Sequence, residues 1–124
     1  MNIILDTNML VSAIKFGVDI FGQIEKFGKP VLLDVCVDEI KKLAKEGNRN
    51  ANLALQLIEK KHINIIDSNK KIGANNSVDK IILNVAHRNR WAVATNDKEL
   101  IKKLRGVGIK VIRLRQKKYL IEAV

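Results

Sequence analysis

Cysteine is almost missing from this chain: Cys36 is the only one in 124 residues. A lone cysteine cannot close an internal disulfide, which excludes a disulfide-stapled scaffold and points to a reducing, cytoplasmic compartment. Proline is as scarce. Pro30 stands alone, at the start of an apolar run that it does not interrupt. Aromatic residues make up 4% of the chain, so the core falls to Ile, Leu and Val. No basic stretch precedes the first apolar run and no long apolar segment follows it, so neither a signal peptide nor a membrane span is expected. Internal repeats, low-complexity tracts and linkers are also lacking, and the length suits one domain over residues 1–124. Acidic residues are absent from one whole stretch. Between Glu99 and Glu122 there is no Asp or Glu, while Lys102, Lys103, Arg105, Lys110, Arg113, Arg115, Lys117 and Lys118 crowd together.

What is present is a soluble globular composition, 47% hydrophobic and 29% charged, with a net charge of +10. So basic a small domain attracts polyanions, nucleic acid first among them, and the acid-free stretch is the candidate phosphate-binding edge. The alternative is a merely solvated lysine-rich face. Five short β-branched runs read as strands: "NIIL", "VLL", "INII", "AVAT" and "IKVIRL". Helical patterns lie between them, over Met9–Phe27, Val35–Glu46, Asn50–Lys61, Val78–Asn89 and Lys98–Leu104. This alternation predicts an α/β protein: a mainly parallel five-stranded sheet covered by helices on both faces. Such sheets bind ligands outside the carboxyl ends of their strands.

Asp6 follows the first strand there, and Asp97 follows the fourth. Two further acids come from helices. On a wheel of about 100° per residue, "VCVDEIKKLA" gathers Cys36, Val37, Ile40, Leu43 and Ala44 into one stripe. Glu39 lies on its flank and Asp38 points nearly away. "SVDKIILNVA" places Asp79 on the flank of its stripe and Lys80 outward in the same way. The simple alternative is capping, since Asp and Asn satisfy the free N–H groups of a helix's first turn. That could explain Asp6 or Asp79. At the last helix, Asn96 with Glu99 already form a capping pair, which leaves Asp97 over. Four carboxylates meeting on one rim would repel one another unless cations sit among them. Hard oxygen donors without a Cys/His set suit Mg²⁺ or Mn²⁺ and argue against zinc.

The stretches "ILDTNML", "VDEIKKLAKE", "SVDKIILNVA" and "VATNDKEL" resemble, in order and spacing, the motifs of PIN-domain ribonucleases. The ending "GIKVIRLRQKKYL" is similar to small stand-alone archaeal members, so the resemblance covers essentially the whole chain. It implies a three-layer α/β/α sandwich and an endoribonuclease that uses Mg²⁺ or Mn²⁺. Carried over, Asp6, Glu39, Asp79 and Asp97 match the catalytic and metal-binding acids, and Asn8 and Thr95 the polar residues that orient them. One departure stands out. Many relatives carry a second acid directly after the third, where this chain has Lys80, which leaves open whether one metal or two are held.

Two roles fit within that family: processing of RNA such as ribosomal precursors, beside a ribosome-processing factor, or a toxin silenced by an antitoxin. A phosphate-accepting receiver domain also uses strand-end acids, yet here the first strand ends in Asp6 alone and Asp67 is the only acceptor. An inactive RNA-binding scaffold fits poorly with four intact acids. His62 and His87 lack partner patterns and read as structural, and Trp91 as a cover for the sheet edge. Tyr119 could stack on a nucleotide or pack in a homodimer contact.

Overall fold

The computed structural model describes residues 1–73, 75–115 and 119–122. Twelve elements follow in chain order: β1 (Asn2–Leu5), α1 (Thr7–Lys15), α2 (Ile20–Ile24), β2 (Lys29–Leu33), α3 (Asp34–Lys45), α4 (Arg49–Lys60), β3 (Asn64–Ile66), α5 (Val78–Asn89), β4 (Ala92–Ala94), α6 (Lys98–Gly106), β5 (Val111–Arg115) and β6 (Tyr119–Glu122). They build one sheet of order β3-β2-β1-β4-β5-β6. The five expected strands are all there and all parallel. A sixth was not foreseen: β6 turns back antiparallel on β5, pairing Tyr119 with Arg115 and Leu120 with Leu114.

From β1 the chain steps outward to β2 and β3, then jumps back across β1 to β4 and β5. Right-handed crossovers place the helices of the two excursions on opposite faces. On one face α4 packs against α3 and α1, and on the other α5 packs against α6. Strands covered on both faces have no solvent side, which is why they read as continuous apolar runs and not as alternations. Ile3, Ile4, Leu5, Leu32, Leu33, Val93 and Ile112 are all fully buried. Pro30 is tolerated inside the sheet because β3 pairs with β2 only from Val31 onward.

The single helix expected over Met9–Phe27 is two. Gly17 takes φ +69°, a left-handed turn that suits glycine, and the Val18 N–H returns to the Ala13 carbonyl at 2.9 Å. Asp19 then caps α2, its carboxylate accepting from the Gly22 N–H at 3.2 Å. The other helices fall within two residues of expectation at each end. Among the described residues no helix is long and apolar enough to cross a membrane.

Candidate active site

The reversal of strand order beside β1 opens a crevice between the carboxyl ends of β1 and β4, the position where open α/β sheets bind ligands. Asp6 stands in it. Its backbone extends β1, with the N–H donating to the Ala94 carbonyl at 3.0 Å. It occupies the N-cap position of α1, yet its side chain makes no capping hydrogen bond. The carboxylate is held instead by Thr95, whose hydroxyl donates to Oδ2 at 2.9 Å. Thr95 is fully buried just past β4, and its Oγ1 also accepts the Asp97 N–H at 3.1 Å. One hydroxyl thus ties together the first and fourth predicted acids. Asp6 is only 5% exposed. Burial, with the charges of Asp79 and Glu39 adding to it, lifts its pKa to about 6, although the Thr95 hydrogen bond and the nearby Asn8 backbone N–H partly offset the rise.

Glu39 and Asp79 are half-buried and both line a cleft of about 740 Å³ bordered by α3 and α5, with Asn8 among its lining residues. Asp79 does not cap its helix. That task falls to Ser77, whose hydroxyl accepts the Lys80 N–H at 3.3 Å. Burial raises the Asp79 pKa, as do the charges of Asp97 and Glu99, while Lys103 opposes them. Asp97 lines a second cavity of about 280 Å³ together with Asp6, Asn8 and Leu114. Asn8 borders both cavities and so marks where they adjoin. The four acids therefore share one rim, Glu39 and Asp79 lining one cavity and Asp6 and Asp97 the next. Among the described residues, no three His, Cys, Asp or Glu side chains stand close enough to hold a metal ion.

Two details at α6 differ from the sequence reading. Asp97, and not Asn96, is the cap: its Oδ1 accepts the Leu100 N–H at 2.9 Å. Asn96 clamps β5, accepting the Leu114 N–H at 2.8 Å and donating to the Leu114 carbonyl at 3.1 Å. Asp38 also departs from the wheel. It is exposed but lines the same cleft as Glu39, because the cleft runs along the flank of α3 and takes in Lys42, Leu43 and Glu46 as well. Lys80 does point outward, exposed beside His87 on the far flank of α5.

Of the predicted basic edge, Lys102, Lys103, Arg105, Arg113 and Arg115 are exposed. Arg113 and Arg115 alternate with buried Ile112 and Leu114, so both project from the same face of β5. Lys117 and Lys118 lie outside the described residues. His62 and His87 are exposed, and Trp91 packs half-buried against the core. Burial pushes the Cys36 thiol up to about 12, which makes it inert at neutral pH.

Asp34 went unnoticed in the sequence. It stands directly after β2, and its Oδ1 accepts the N–H groups of Val35 at 2.9 Å and of Ser68 at 3.1 Å, which fastens the loop after β3 to the start of α3. The available signal was its position: like Asp6, it is an acid directly after a buried strand.

The sequence matches the family described as "PIN like domain" over residues 3–117. Ribonuclease VapC4 of Methanocaldococcus jannaschii is 35% identical, across 94% of this chain and 92% of its own length. The solved PIN domain endonuclease Utp24 superposes with a TM-score of 0.80 at 22% identity, over 99% of this chain and 92% of the other. VapBC2 from Rickettsia felis, solved bound to a DNA fragment from its promoter, gives 0.62 at 19% identity, over 91% of this chain and 98% of that one.

Proposed function

Because the chain belongs to the PIN like domain family, we propose that it is a divalent-metal-dependent endoribonuclease with Asp6, Glu39, Asp79 and Asp97 as its catalytic acids. The observation that carries this reading is Asp6 itself: a buried carboxylate at the switch point, held by a buried hydroxyl. A fold gains no stability from holding a carboxylate whose burial and neighbours disfavour its charge. A cation among these acids reverses that penalty. The donor set is all carboxylate oxygen, the chemistry of Mg²⁺ or Mn²⁺. The four side chains would hold the ion after drawing closer than they now stand.

When bound, the metal supplies a water of lowered pKa for in-line attack on a phosphodiester and charge stabilisation at the leaving oxygen, giving a 5′-phosphate and a 3′-hydroxyl. The chain's own residues do the rest. Thr95 fixes the rotamer of Asp6 and, through the Asp97 N–H, the start of α6. The Asp97 cap restrains its carboxylate at the rim. Lys103 moderates the negative field at Asp79, and Asn8 stands at the junction where a scissile phosphate would cross from one cavity to the next. Arg113 and Arg115, with Lys102, Lys103 and Arg105, offer phosphate contacts beyond the β5 end of the rim.

RNA processing in the cytoplasm is the first candidate role. The 35% identity to Ribonuclease VapC4 and the likeness to the VapBC2 complex favour a second, a toxin ribonuclease held by an antitoxin. Sequencing the 5′ ends of cellular RNA after incubation with purified protein and Mn²⁺ tests the activity. Discrete new 5′-phosphate ends, abolished by EDTA and by Glu39→Gln, are expected. Intact RNA under all conditions would refute the nuclease reading. Co-purification of the chain expressed with its neighbouring genes separates the two roles, since a small tightly bound inhibitory protein marks the toxin.

A further inference from the structure

The loop after β3 lies outside everything assigned so far, and it is built rather than slack. Ser68 is fully buried. Its N–H is held by Asp34, and its hydroxyl accepts the Lys70 N–H at 3.3 Å. Asp67 accepts the Asn69 N–H at 2.8 Å. Further along, Asn76 donates to the Lys71 carbonyl at 3.0 Å and pairs with Gly73 through both backbone groups. The segment from Asp67 to Gly73 is therefore fixed at both ends, with Lys70, Lys71 and Ile72 presented outward.

A third cavity, of about 550 Å³, runs beneath this loop. It shares Asp38 and Ile72 with the Glu39–Asp79 cleft, which in turn shares Asn8 with the cavity holding Asp6 and Asp97. The three form one trough in the order of the strands, from the end of β3 past β2, β1 and β4 to Leu114 on β5. Five strands spaced by about 4.8 Å make it roughly 19 Å long, room for a short run of extended polynucleotide. The charge pattern is ordered along it. Carboxylates occupy the middle; at the β3 end Lys70 and Lys71 line the cavity beside Asp34 and Asp67, whose carboxylates are engaged by backbone N–H groups, and Arg115 follows Leu114 at the end of β5. A polyanion crossing a carboxylate centre needs cationic anchors on both sides, and the acid-free C-terminal stretch supplies only one. Ile72, 52% exposed at the junction of two cavities, is a large apolar side chain beside the charged groups Asp38, Lys70 and Lys71.

We propose that a single RNA strand enters the carboxylate cleft along the Asp67–Gly73 loop, with Lys70 and Lys71 on its phosphates and Ile72 against a base, so that this loop sets which nucleotides flank the cut. The inference rests on the endoribonuclease reading of the same cleft. Its test is binding of a fluorescein-labelled oligouridylate of about a dozen nucleotides, followed by anisotropy in EDTA from about 50 to 250 mM salt. Losing two phosphate contacts lowers the salt slope by about 1.4, at about 0.7 for each on a single strand. Lys70→Ala/Lys71→Ala should show that drop with severalfold weaker binding. In Mn²⁺ it should raise KM severalfold while leaving kcat within about twofold, the pattern of lost uniform binding. Ile72→Ala should weaken binding with the slope unchanged and alter the preferred base beside the cut. All these side chains are exposed, so the variants should melt like the wild type. Unchanged slope and KM in the lysine variant, with a wild type that binds and cleaves, overturns the inference and leaves the nuclease reading intact. A wild type that neither binds nor cleaves overturns both.

Discussion

Replacing Asp6 by Asn should stabilise the metal-free protein at neutral pH, the reverse of what a capping aspartate would do. The pKa of Asp6 rises from its ordinary 3.8 to about 6 in the fold. Between those values the folded state holds a proton that the unfolded state has released, so stability falls as pH increases across the window, by about 1.4 kcal/mol per pH unit. The penalty is complete above about pH 6 and amounts to about 3 kcal/mol. Asparagine is neutral at every pH and can still accept the Thr95 hydroxyl, so the variant should escape most of it. For a domain of this size that means a Tm higher by about 10 °C at pH 7.5. The assay is thermal or urea unfolding of both proteins in EDTA at about pH 4, 5, 6 and 7.5, taking the difference at each pH so that other groups cancel. The difference should be smallest near pH 4 and level off above about pH 6. Adding Mn²⁺ should then stabilise the wild type more than the variant. A variant that is less stable at pH 7.5, or a difference independent of pH, would show that Asp6 is a structural carboxylate and sink the reasoning.

Glu39→Gln and Asp79→Asn should each lower RNA cleavage in Mn²⁺ by on the order of a hundredfold, several kcal/mol of transition-state stabilisation, while outward-facing Lys80→Ala stays within a few fold; equal losses in all three would void the site assignment. Thr95→Val, a change of shape by almost nothing, should reduce cleavage by roughly 10- to 100-fold and move the acid limb of the pH–rate profile upward, and Thr95→Ser should restore both. An unmoved profile would mean that Thr95 only fills space. Asp34→Ala leaves the buried Ser68 N–H without its partner and should cost about 1–3 kcal/mol of stability by urea unfolding. Hydrogen bonds from Ser68 and Val35 overcome partial burial and hold the Asp34 carboxyl below its ordinary pKa, so its contribution is present above the unfolded value and lost as pH falls through the folded one. A cost that persists unchanged at strongly acid pH would contradict that account.

Much of the fold was legible because its strands are covered on both faces. In "NIIL" the residues Ile3, Ile4 and Leu5, and in "AVAT" the residues Ala92, Val93 and Ala94, are unbroken buried apolar runs, which mark strands without alternation. The helix over Val78–Asn89 was equally plain, since Ser77 before it and the stripe of Ile81, Ile82, Val85 and Ala86 agree. The break between α1 and α2 was hidden. Gly17 can continue a helix or end one, and only the φ of +69° it takes, with Asp19 free to cap the next turn, decides it. β6 was hidden for a different reason. Four residues after a basic run become a strand because β5 offers an open edge to pair with, a tertiary fact with no local signature.

At the site, the sequence picked out four acids that the structure brings to one rim, and misjudged which residue caps α6. Wheel geometry separated Asp79 from Lys80 cleanly, because the cleft meets only one flank of α5. The same geometry failed for Asp38, since the cleft follows α3 lengthwise and admits two adjacent rows of side chains. Capping was assigned to Asn96 from its distance to Glu99, but a cap needs non-helical backbone immediately before the first helical residue, and Asp97 occupies that place. Asp97 can serve both roles because the cap engages Oδ1 alone. Asp6 stands at the same kind of position before α1, yet its carboxylate turns to Thr95 instead. What separates them is the buried hydroxyl across the crevice, which comes from a strand 89 residues away. A cap is satisfied by the helix that follows it, so it can be read locally. The restraint on Asp6 comes from β4, and β4 lies beside β1 only because the chain reverses its direction across the sheet. The same reversal that opens the crevice therefore supplies the hydroxyl that orients Asp6, and the acid and its orienting partner arise from one feature of the topology.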